Sequence, residues 1–151
     1  MFDSCSSLLS AGPTNLPATE VPERAYRNMF RNCFVLTSMP YIDGTSFSDY
    51  SCDHMFESCS ALVASAPIYD IEVTALSCFS NMFSHCNNML YYPDMKTNIV
   101  ESGACYCMFE GCKNLKYPPS LNFTTLKAYS CHNMFYENSL AYTPAITVQN
   151  V

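Results

Sequence analysis

Ten cysteines and three histidines are the residues of this 151-residue chain with the most chemistry to offer. Cys105, Cys107 and Cys112 cluster along the sequence, and His54, His85 and His132 each stand near a cysteine, at 52, 86 and 131. Zinc needs four convergent ligands in tetrahedral geometry. The cysteines fall instead at fixed offsets from a recurring Met-Phe pair. Cys5, Cys33, Cys59, Cys86 and Cys112 lie four positions after the Met, and Cys52, Cys105 and Cys131 three before it, with Cys78 one place off. Only Cys107 escapes the two columns, and the histidines occupy three different repeat positions. Free cysteine is among the most buried residue types, so the columns predict a ladder of reduced, packed thiols and no metal or cofactor. Within one repeat, Cys52 and Cys59 would stand about 10.5 Å apart on a helix, beyond the roughly 7 Å that a disulfide spans. Pairing between repeats along a column stays open.

Other catalytic constellations are missing from the sequence. The four glycines form neither a GxGxxG nor a GxxxxGK[ST] loop to cradle phosphate, and no nucleophile elbow occurs. The chain is read as noncatalytic. A formal net charge of −6 with seven Lys plus Arg leaves no basic face for nucleic-acid phosphates. Arg24, Arg27 and Arg31 could share a helix face and dock an acidic partner, but Glu20 and Glu23 beside them favour a solvated face. Asn122-Phe123-Thr124 is a formal glycosylation sequon. A more suggestive column lies about nine positions after each Met: Ser10, Ser38, Ala64, Tyr91, Tyr117 and Tyr142. Its three tyrosines either form an amphipathic ridge that anchors a protein or sugar, or face the core. Tyr92 follows Tyr91, and strand neighbours alternate, so one of the two must face out.

What positions these residues is a repeat. Met-Phe recurs at Met1, Met29, Met55, Met82, Met108 and Met134, at steps of 28, 26, 27, 26 and 26 residues, a period typical of stacked repeats. Residues 1–151 therefore read as one domain of about six units. Apolar residues at minus eight, minus three, zero and plus four from the Met approximate one helix face, which predicts short helices over Thr19 to Asn32 and Thr125 to Tyr136. Glu20, Pro22 and Glu23 suit a helix start. The runs Val35 to Met39, Leu62 to Ala66 and Met89 to Tyr92, each near a proline, read as strands. One strand and one helix per unit give parallel strands. Strands spaced about 4.8 Å apart and helices roughly 8–10 Å apart bend such a stack. The expected fold class is thus α/β: a right-handed leucine-rich-repeat solenoid with strands on the concave side and helices on the convex side.

The pattern Met-Phe-x-x-Cys-x-x-Leu, with SCxxMF or ACYCMF elements before it, resembles the BspA-like leucine-rich-repeat proteins of bacterial surfaces, across essentially the whole chain. The resemblance implies an extracellular surface or secreted protein used for cell adhesion and protein or glycan binding. Relatives in phage structural proteins imply an alternative, a rigid spacer in a virion appendage or filament. No catalytic residue comes with the family. The sequence shows no signal peptide, lipid anchor or membrane span. Met1 already stands at the repeat's Met position and Val151 follows a strand, so both ends are expected to pack on further chain or on other subunits.

Overall fold

A computed structural model describes residues 1–12, 15–65, 68–71, 74–92, 95–97, 99–116, 121–123, 125–141 and 146–148. It overturns the α/β solenoid: no helix occurs among the described residues. The segments expected to be helical, from Thr19 to Asn32 and Thr125 to Tyr136, are short strands that lead into unbroken runs of turns. Without helices the mismatch of spacings is lost, and with it the reason for a convex helical side and a concave strand side.

The physical cause lies in the backbone. A residue of positive φ recurs every fourth position: Arg24, Asn28 and Asn32; Tyr50, His54 and Ser58; Ser77, Asn81 and His85; Gly103, Cys107 and Gly111; Tyr129, Asn133 and Glu137. A left-handed residue stops a right-handed helix within one turn. Asn, His and Gly are the types that reach this region most readily, and they fill eight of these fifteen places. Each turn then closes with an N–H bonded three residues back, as from Ala25 to Pro22, Arg27 to Arg24 and Met29 to Tyr26.

The alternate N–H groups leave the turn and cross to the next period. Those of Arg24, Tyr26, Asn28, Phe30 and Asn32 donate to the carbonyls of Asp49, Ser51, Asp53, Met55 and Glu57. Tyr50, Cys52, His54, Phe56 and Ser58 repeat this onto Leu76, Cys78, Ser80, Met82 and Ser84, and the same five-bond pattern runs from the layer at 77–85 to that at 102–110, and from 103–111 to 128–136. Turns one period apart are thereby held in register, and we call this side of the chain the turn wall.

Strands fill the next stretch of each period. β1 (Glu20–Val21) pairs with β2 (Ser46–Phe47), β3 (Ile68–Ile71) with β4 (Met95–Thr97), β5 (Ile99–Val100) with β7 (Thr125–Leu126), and β6 (Leu121–Phe123) with β8 (Ile146–Val148). Every pair is parallel, as repetition in one direction demands. Val21, Phe47, Val100 and Leu126, expected near helix starts, lie instead in strands. Among the described residues, the runs expected as strands make only single bridges, Ser10 with Ser38 and Ala64 with Tyr91. This third side is the bridge wall.

The core is a set of columns. The rings of Phe2, Phe30, Phe56, Phe83, Phe109 and Phe135 stack in sequence at centroid distances of 5.5, 5.2, 5.6, 5.5 and 5.9 Å, all within 8° of parallel. Met55, Met82 and Met108 are fully buried beside them, as are Leu36, Leu62, Met89 and Leu115. Phe47 and Phe79 meet edge to face at 4.6 Å. Among the described residues no helix is long and apolar enough to cross a membrane.

Candidate functional site

The cysteine ladder is built by the turn wall. In each layer the backbone N–H of the cysteine bonds the carbonyl of the Phe three residues back, as Cys33 does to Phe30 and Cys59 to Phe56. The thiol reaches one period further. Those of Cys33, Cys59 and Cys86 donate to the carbonyl oxygens of Phe2, Phe30 and Phe56 at 3.1 Å, and that of Cys112 to Phe83 at 3.0 Å. A carbonyl oxygen has two lone pairs, so each Phe oxygen accepts one amide and one thiol. Burial pushes the Cys59 and Cys112 thiols up to about 12 and that of Cys86 well above the ordinary value. They are inert as nucleophiles, because the thiolate is the reactive form.

Cys5 departs from the expected ladder: it is exposed. In the last layer Asn138 replaces the cysteine, and both its buried amide atoms lack a partner among the described residues. All ten cysteines are free, and no group of three or more His, Cys, Asp or Glu converges on a metal position among the described residues.

The arginines on the turn wall are spoken for. Arg24 pairs with Glu23, Arg27 with the buried Asp53 at 2.9 Å, and Arg31 with Asp3 at 3.1 Å. Arg24 and Arg27 also lie over the Tyr50 ring. Asp53 further bonds the His54 ring, and this contact raises the histidine's pKa, against the opposing effect of burial.

A binding surface has to be sought on the bridge wall. Tyr91 bridges to Ala64 and is 62% exposed. Tyr92 turns the other way, its ring edge-on to Phe109 at 4.9 Å and to Phe135 at 5.6 Å. Burial raises the Tyr92 hydroxyl's pKa, and that hydroxyl has no partner among the described residues. The outward Tyr91 lines a depression of about 220 Å³ with Leu90, Asn114 and Lys116. Asn114 is fixed by its N–H on the Asn87 carbonyl and its amide on Asn88 Oδ1, both at 3.3 Å, and Ala141 N–H bonds the Lys116 carbonyl at 3.1 Å. Tyr117 and Tyr142, the other members of the expected ridge, lie outside the described residues.

Sequence reasoning missed Leu90, Asn114 and Lys116. Asn114 and Lys116 come one period after Tyr91's own neighbours, and that parallel register is the signal that could have located them. A second exposed aromatic group was also missed: Tyr106 stacks on His132 at 5.6 Å, and Tyr129 meets the same ring edge-on at 5.7 Å. No family model, no curated protein and no solved structure matches this chain.

Proposed function

We propose that the chain is a noncatalytic repeat module, exposed at a cell surface or secreted, that binds a protein or glycan ligand through the bridge wall. The observation that carries this reading is the exposed Tyr91 ring beside the depression it shares with Leu90, Asn114 and Lys116. An aromatic face covers apolar carbon while its hydroxyl meets water. A side-chain amide and an ammonium at the rim supply directional donors, the mixture of apolar lining and few polar groups that binding sites use. The repeat's resemblance to BspA-like surface proteins supports the same assignment and location, and the inert thiols support a noncatalytic role.

A glycan array and a panel of extracellular-matrix proteins, probed with the wild-type chain and with Tyr91→Ala, test the proposal. Saturable binding to at least one member, reduced at least tenfold by Tyr91→Ala with an unchanged melting temperature, is the expected result. Binding that is identical for the two proteins, or absent for both, overturns it.

A further inference from the structure

The second cysteine column behaves differently from the first, and its last two members stand level in adjacent layers. Cys105 N–H bonds the Ser130 carbonyl at 2.8 Å, and Cys107 N–H bonds the His132 carbonyl at 3.0 Å, so the backbone bonds on either side bring Cys131 abreast of Cys105 in the next layer. Parallel segments joined by such amide bonds stand about 4.8 Å apart, inside the 4.4–6.8 Å between Cα atoms that disulfides use. Each thiol shifts the pKa of the other, that of Cys105 being raised and that of Cys131 lowered. In the first column, by contrast, each thiol of Cys33, Cys59, Cys86 and Cys112 is turned onto a backbone carbonyl and away from its neighbours. Cys52 and Cys78, in the same column as this pair, are fully buried, whereas Cys131 is partly exposed.

The structure assigns Cys105 and Cys131 as a reversible dithiol–disulfide site, oxidised by a low-molecular-weight disulfide that reaches Cys131 from solvent. Cys131 is the attacking group. Its thiol pKa is drawn down by the neighbouring Cys105 thiol, while Cys131 and burial raise that of Cys105. The Cys131 thiolate attacks one sulfur of the oxidant and expels the first thiolate, leaving a mixed disulfide. Cys105 then attacks the Cys131 sulfur, and its proton passes to the second thiolate as that leaves. Two electrons pass from the pair to the oxidant, which departs as two thiols. The new bond joins layers one period apart and restricts the unfolded chain.

The test is incubation of the native protein with oxidised glutathione, followed by intact mass and a peptide map without reduction. The expected product has lost two hydrogens, joins the peptides that contain Cys105 and Cys131, melts at a higher temperature, and reverts with dithiothreitol. Cys105→Ser is expected to stop at a glutathione adduct on Cys131, and Cys131→Ser to give no product. No change in the wild-type mass, a stable adduct on wild-type Cys131, or a cross-link between any other pair overturns the assignment.

Discussion

The turn wall and the bridge wall are made by the same repeat but held by different means. On the turn wall every layer between residues 24 and 136 sends five amide bonds to the next, and a phenylalanine, a methionine and a cysteine column lie behind them. On the bridge wall the described layers meet through single bridges, Ser10 with Ser38 and Ala64 with Tyr91, and scattered amide bonds such as that of Leu90 to Val63. Its equivalent positions change from Ser to Ala to Tyr. Where the backbone needs one residue type in each layer, the side chain is committed to packing. Where a single bridge suffices, side chains are free to differ and to meet a ligand.

The contrast is broken most directly at the centre of the phenylalanine stack. Phe83 is fully buried between Phe56 and Phe109, and Phe83→Ala is expected to cost about 3–5 kcal/mol in a denaturant melt. A nearly unchanged melt would show that the stack is not what holds the wall. Gly111 comes next: its φ is +68°, and a Cβ there would stand 2.3 Å from His85 Nδ1. Gly111→Ala is expected to cost about 1–3 kcal/mol from backbone strain, and the double change with His85→Ala should recover only the steric part.

Asn138→Cys sharpens the comparison in the other direction. A thiol at that position would find the Phe109 carbonyl as the earlier cysteines find theirs, in place of an amide with no partner among the described residues. A gain of about 1 kcal/mol is expected, read as a raised midpoint at constant slope. The His54 contribution is smaller and depends on pH. The carboxylate of Asp53 raises its pKa in the fold, so the stabilisation is complete below the unfolded value near 6.5 and is lost as pH rises through the folded value. Stability that falls through this range in wild type, and falls less in His54→Gln, is the expected pair of titrations. The smallest effect belongs to the bridge wall. Tyr91→Ser should change stability by less than about 0.5 kcal/mol, and a larger loss would place that ring in the core.

The period, the phase of the Met-Phe pairs and the apolar columns were legible because identical residues must stack on each other when a unit repeats. The secondary structure was not. A left-handed residue every fourth position makes a four-residue unit, and apolar groups carried on it fall at spacings that a helix of 3.6 residues per turn also produces. The distinguishing signal was present in Asn28 and Asn32, Asn81 and His85, and Gly103 and Gly111, poor helix formers placed at intervals of four or eight. At the site, alternation required one of Tyr91 and Tyr92 to face out, but not which of them did. The depression did not, because Asn114 and Lys116 join it from the neighbouring layer.

The cross-layer bonds have an electrostatic consequence. The peptide between Asp49 and Tyr50 accepts from Arg24 through its oxygen and donates to Leu76 through its N–H, so its dipole lies along the stack. In an ordinary strand the next peptide points the opposite way and cancels it. Here the next peptide is turned aside, its N–H at Ser51 closing back on Ser48. The aligned peptides, each about 3.5 D, therefore add from layer to layer as they do along an α-helix. The turn wall is polarised without being helical, positive toward its higher-numbered layers, and this field favours anions at that end and cations at the other.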